Sequence, residues 1–90
     1  MDRQVFETEL KRDGYDEVVT GNTQGPKHNA EHSHPYDVRA MVLDGAITLA
    51  WEGKTQTYRP GEIFTMARNC PHTETFGPEG AVTLAGRKHL

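Results

Sequence analysis

From Tyr15 onward, the sequence consists of short apolar runs separated by residues that favour turns. In the run AITLAW, Ile47 and Leu49 flank Thr48, and this alternation is typical of a half-buried strand. Asp44-Gly45 separates this run from VRAMVL and predicts a hairpin, because Asp-Gly favours the two-residue turns that join antiparallel strands. About seven or eight short strands are expected on this pattern. No helical pattern occurs after Tyr15, so these strands predict an all-β barrel or jelly roll.

Residues 2–13 precede these strands and predict one short helix. Asp2 is the expected N-cap and Gly14 the expected stop. The segment has few apolar residues, so we expect it to lie outside the barrel or against a partner subunit rather than to form a core of its own.

Length and composition limit what the chain can do. Its 90 residues predict a single domain over residues 1–90, with the barrel over about 15–90. Because only 34% of the residues are hydrophobic, we expect a thin core that a bound metal or a second copy would stabilise, and therefore a homodimer. The net charge of −3 without a basic run argues against nucleic-acid or anionic-membrane partners.

Cysteine usage and hydropathy indicate the compartment. Cys70 is the only cysteine, so no disulfide can form within the chain. No apolar run approaches the roughly 20 residues of a membrane span, and residues 1–10 lack the hydrophobic stretch of a signal peptide. We therefore expect a cytoplasmic location.

Three histidines are the candidate metal ligands. His32 and His34 lie two positions apart in AEHSHPYD, and His72 follows in NCPH. On an extended strand, alternate side chains share a face, so the first two histidines are predicted to point the same way. Neutral imidazole is a good ligand for Zn, Fe, Ni and Cu, whereas Ca and Mg prefer more carboxylates. Three protein ligands would leave coordination positions open for a substrate.

The motifs around these histidines resemble those of small single-domain cupins. The segment HSHPYDV with Gly45 matches the first cupin motif, and RPGEIFTMARNCPH matches the second. The resemblance covers residues 30–76 well and implies a double-stranded β-helix barrel. It also implies a divalent transition metal (Zn, Fe, Ni, Mn or Cu) inside the barrel, bound by His32, His34 and His72.

The chain departs from the cupin pattern at the fourth ligand, which is a glutamate in the family. Val38 occupies that position. The neighbouring Asp37 would face away from His34 on a regular strand and could reach a metal only through a β-bulge. Glu74 is the better substitute because it lies two residues after His72, on the same strand face. We expect it to act as a fourth ligand or as a general base.

The resemblance leaves several functions open. The first is a metal-dependent enzyme acting on a small molecule, and the neutral three-histidine set resembles that of cupin-type thiol dioxygenases. The second is a non-catalytic module that binds a small molecule or acts as a sensor. The third is metal-independent sugar isomerisation with histidine as the base. The fold does not decide between these functions.

A few other residues could contribute to a site. Cys70 could lie near the metal on the face of His72. Asp37 and Arg39 share a strand face and could form an ion pair or reach a substrate carboxylate. Four apolar residues could form a pocket wall: Trp51, Tyr58, Phe64 and Met66.

Overall fold

The computed structural model describes residues 1–90, which form one helix and six strands. The helix α1 spans Arg3–Arg12. The strands are β1 (Glu17–Thr23), β2 (Lys27–His32), β3 (Asp37–Trp51), β4 (Lys54–Tyr58), β5 (Ile63–Met66) and β6 (His72–Lys88). The helix is too short and insufficiently apolar to cross a membrane.

Strands β3 and β6 are long enough to serve both halves of the barrel. The first half of β3 pairs with the second half of β6, and β5 and β1 flank this pair. The second half of β3 pairs with the first half of β6, and β4 and β2 flank that pair. All pairings are antiparallel, so the chain forms two sheets that share their two central strands. We call the half with β1 and β5 sheet 1 and the half with β2 and β4 sheet 2. This is the predicted all-β jelly roll with a short N-terminal helix.

The hairpin predicted at Asp44-Gly45 is wrong, because β3 continues through both residues. The pairing of β3 with β6 slips on either side of Gly45, whose φ is +74°. The positive φ that would suit a hairpin therefore produces a β-bulge here. A Cβ on Gly45 would collide with the carbonyl group of Gly80 on β6. Residues 77–80, which include two glycines and a proline, likewise lie inside β6, so the strand count is six.

The main core lies between the two sheets. It combines side chains of sheet 1, such as Val42 and Phe64, with side chains of sheet 2, such as Leu49 and Phe76. Because adjacent residues of a strand face opposite sides, Met41 lies on the outer face of sheet 1. The helix covers that face.

The helix forms a second, smaller core with sheet 1. Asp2 caps the helix by accepting a hydrogen bond from the Val5 backbone N–H at 2.8 Å. Phe6 and Leu10 are fully buried and pack with Met41 and Leu84. The helix thus lies outside the barrel, as expected, but it completes a buried cluster of its own.

Candidate metal site

The structure places His32 and His72 opposite each other at one end of sheet 2. His32 is the last residue of β2, His72 is the first residue of β6, and the two are direct cross-strand partners. Directly opposed side chains of an antiparallel pair lie close together. The ring centroids of these two histidines are 4.5 Å apart.

His34 joins this pair from beyond the end of the strand. The prediction that His32 and His34 lie on one regular strand is wrong, because β2 ends at His32 and its pairing with β6 slips between Asn29 and His32. Nevertheless, one potential ligand atom from each of the three histidines lies within 4.8 Å of the others. We call His32, His34 and His72 the histidine cluster.

Backbone hydrogen bonds fix two of the imidazoles. His32 Nδ1 lies 2.7 Å from the carbonyl oxygen of Ala30, and His72 Nδ1 lies 2.9 Å from that of Cys70. A carbonyl oxygen can only accept, so each Nδ1 carries the proton and donates. The Nε2 atom of the neutral ring then keeps its lone pair, which is the arrangement found in metal-ligating histidines.

His34 is held by an aromatic neighbour. Its ring stacks on Tyr36 with centroids 5.1 Å apart, and the Tyr36 hydroxyl lies 3.4 Å from His34 Nδ1. Partial burial lowers the pKa of His34, and the nearby His32 and His72 lower it further. His34 therefore favours the neutral form that can bind a metal.

Glu74 lies on the Nε2 side of the cluster. Its carboxylate oxygens are 3.5 Å from His32 Nε2 and 4.0 Å from His72 Nε2. The side-chain amide of Asn29 donates to Glu74 Oε1 at 2.9 Å and orients the carboxylate. Asn29 is the direct cross-strand partner of Glu74.

Asp37, the alternative carboxylate, is engaged elsewhere. Its Oδ1 accepts a hydrogen bond from the Arg68 backbone N–H at 2.8 Å, and its Oδ2 lies 3.2 Å from the Arg68 guanidinium. These contacts lower the pKa of Asp37. Asp37 thus anchors the segment between β5 and β6 and is not part of the histidine cluster.

The donor set suits a single transition-metal ion. Nitrogen atoms bound to one ion at about 2.0–2.1 Å lie roughly 3–3.5 Å apart, so modest side-chain rotations would bring the three rings within bonding distance. His72 is only 3% exposed, which keeps one ligand rigid. Three imidazoles with a single nearby carboxylate match the preferences of Zn, Fe, Ni or Cu better than those of Ca or Mg.

Two members of the cluster, His34 and His72, line a cavity of about 260 Å³ between the two sheets. Val38 lies in its wall, at the position where the cupin pattern has glutamate. The rest of the wall is mainly apolar and includes two of the four predicted wall residues, Phe64 and Met66. Trp51 and Tyr58 are not among the lining residues, and Tyr58 belongs to the main core.

Two other possibilities raised by the sequence are not seen in the structure. Cys70 lies outside the cavity lining and directs its thiol toward Glu52 Oε1 at 3.6 Å. Arg39 pairs with Glu9 of the helix at 3.2 Å and not with Asp37. The helix supplied a carboxylate partner that local strand spacing could not indicate.

Several polar residues of the cavity wall were not predicted from the sequence, among them Asn29, Tyr36 and Arg87. Strand alternation is the signal that could have indicated Arg87, since Thr83, Ala85 and Arg87 lie two apart on β6 and all line the cavity. Asn29 could not be found this way because its role depends on its pairing with Glu74.

A sequence profile for the cupin domain matches residues 17–87, which is most of the chain and includes all six strands except the last residue of β6. The chain belongs to the cupin family. Many cupins bind metal ions, in keeping with the donor set described above. No functionally curated protein matches this cupin.

Solved structures share the fold. A protein of unknown function from Rhizobium leguminosarum bv. viciae 3841 is 25% identical with a TM-score of 0.75, covering 79% of this cupin and 67% of that chain. KdgF from Halomonas sp. is 21% identical with a TM-score of 0.65, covering 78% and 66%. A chain from the crystal structures of the DMSP lyases RdDddP and RnDddQII is 19% identical with a TM-score of 0.72, covering 79% and 37%. The cupin thus spans about two thirds of the first two chains.

Proposed function

We propose that this cupin holds a divalent transition-metal ion on His32, His34 and His72 and acts as a metal-dependent enzyme on a small molecule. The arrangement of the ring nitrogens carries this proposal. The Nδ1 atoms of His32 and His72 donate to backbone carbonyls, which leaves both Nε2 lone pairs on the side of Glu74.

When bound, the ion would supply a Lewis acid that polarises a substrate oxygen. The chain's own residues would do the rest. The apolar wall with Val38, Phe64 and Met66 would exclude water and hold the substrate. Glu74 would accept a proton from the substrate, because its carboxylate lies beside the cluster and Asn29 fixes its orientation. One of the related structures comes from DMSP lyases, so the fold accommodates an enzyme.

Elemental analysis of tag-free protein tests the metal site. A His34→Ala, His72→Ala double variant is compared with a His28→Ala, His89→Ala double variant, which removes the same number of histidines outside the cluster. We expect near-stoichiometric metal in the native protein and in the second variant, and its loss in the first. Equal, low metal in all three proteins would contradict the proposal, provided that circular dichroism shows all three folded.

Catalysis is tested separately. Oxygen uptake by the iron-loaded protein, measured with a panel of thiols, diketones and phenols, tests for dioxygenase activity. No stimulation above the metal-only background would exclude that reaction for these substrates. Retained binding of a small molecule without turnover would instead favour a non-catalytic binding module.

A further inference from the structure

Arg87 is the only lysine or arginine among the residues that line the cavity. It lies near the end of β6, in sheet 1, and pairs in register with Val38. His72 and Glu74 lie at the start of the same strand, in sheet 2. The cavity therefore has a cationic group on one sheet and the histidine cluster with its carboxylate on the facing sheet.

Tyr36 connects these two parts of the cavity. The guanidinium carbon of Arg87 lies 5.1 Å from the centre of the Tyr36 ring, and the same ring stacks on His34. Cation–π contact of this kind fixes the direction of a guanidinium. Arg87 is thus positioned at the cavity rather than extended into solvent.

The existing ion pair of Arg87 leaves most of its donors free. Its only carboxylate partner is Glu17 of β1, at 3.4 Å, and the two side chains are 38% and 43% exposed. Such exposed pairs contribute little to stability. A guanidinium has five N–H donors in a planar fork that matches a carboxylate, so Arg87 can bind a second oxyanion.

We propose that Arg87 binds the carboxylate of a small organic acid whose other, neutral oxygen faces the histidine cluster. The donors of the cavity support one orientation, because the planar N–H pair of Arg87 matches a carboxylate, while Glu74 beside the cluster reduces the attraction of a bound ion for a second anion. A cavity of about 260 Å³ accommodates a ligand on the order of ten non-hydrogen atoms, given about 30 Å³ for each water-sized group. This inference names the substrate class and rests on the proposed metal site.

The test uses zinc-loaded protein with 4-hydroxybutanoate and its neutral amide, which differ only in the charged group. Isothermal titration gives the dissociation constants of the acid and of the amide. Their ratio is the preference for the acid, and it is measured in the native protein, in Arg87→Gln and in Arg59→Gln. Arg59→Gln removes the same charge at an exposed site away from the cavity. Any preference that zinc itself has for carboxylates is common to all three proteins.

We expect Arg87→Gln to reduce the preference about tenfold or more, and Arg59→Gln to leave it unchanged. Glu17→Gln should raise affinity for the acid, because it removes the competing carboxylate without touching the cavity wall. An unchanged preference in Arg87→Gln, with one zinc per chain, would overturn the proposal. So would an equal loss in both arginine variants.

A separate readout distinguishes failure of this inference from failure of the metal site. If the native protein does not retain zinc, the proposed function fails, and NMR of the metal-free protein then tests Arg87 alone. A shift of the Arg87 Nε–H signal on addition of the acid but not of the amide supports the inference. The absence of that shift overturns it.

Discussion

His32 and His72 are direct cross-strand partners whose rings lie 4.5 Å apart, and each ring is hydrogen-bonded to a carbonyl two residues earlier in the chain. The pairing of β2 with β6 sets the distance between the rings, and the two local hydrogen bonds set their tautomers. The side chains are arranged for a ligand by the strands themselves.

The first prediction concerns these tautomers. In the metal-free protein above pH 8, long-range ¹H–¹⁵N NMR spectra should show His32 and His72 protonated at Nδ1, because only a donor can pair with a carbonyl oxygen. His28 lies outside the cluster and is the comparison, because its Nδ1 contacts the Thr75 hydroxyl, which can either donate or accept. Nε2 protonation of either ring would contradict the hydrogen bonds described here.

The second prediction concerns pH and the metal-free protein. Burial lowers the pKa of His34 below its usual value of 6.5, so the unfolded chain takes up a proton before the folded chain does. The contribution of His34 to stability is complete above pH 6.5 and decreases as the pH falls from 6.5 toward the lowered pKa. Urea denaturation between pH 7.5 and 5.5 should therefore show a smaller pH dependence for His34→Gln. Equal slopes for the two proteins would contradict this assignment.

The third prediction decides which carboxylate serves the metal site. Glu74→Gln keeps an oxygen that can accept from Asn29 but removes the charge beside the histidine cluster, so metal affinity should fall about tenfold or more. Asp37→Asn should leave metal affinity unchanged and lower the melting temperature, because it weakens the contacts with Arg68. Competition with a chromophoric chelator measures both affinities. The opposite pattern would make Asp37 the metal-site carboxylate.

The fourth prediction concerns the bend of the barrel. Gly45→Ala should destabilise the protein by about 2 kcal/mol or more, because φ is +74° and the added Cβ meets the backbone of Gly80. In Gly77→Ala, on β6, the added Cβ meets no atom within 4 Å, so this control should change stability by less than about 0.5 kcal/mol. Urea denaturation measures both. Similar losses would show that backbone collision is not the cause.

The sequence predicted the parts of this molecule that depend on local chemistry. The capped helix, the half-buried strands and the three histidines follow from residue type and spacing. Asp44-Gly45 was misinterpreted because the same positive φ serves a hairpin and a bulge, and only the pairing with β6 distinguishes them. The partner of Asp37 could not be predicted, since Arg68 approaches it through a loop whose path depends on the whole fold. Arg87 became informative only when its neighbours on β6 proved to face the cavity.

The shared central strands also determine when the site can form. His32 meets His72 only after β2 has paired with β6, and β3 and β6 join residues as distant in sequence as Asp37 and Lys88. Closing such long loops slows folding, because the chain loses entropy before the contacts compensate. The histidine cluster therefore exists only when these long-range pairings are in place. An ion that binds only the assembled cluster would act on the completed barrel and favour it over every partly folded state.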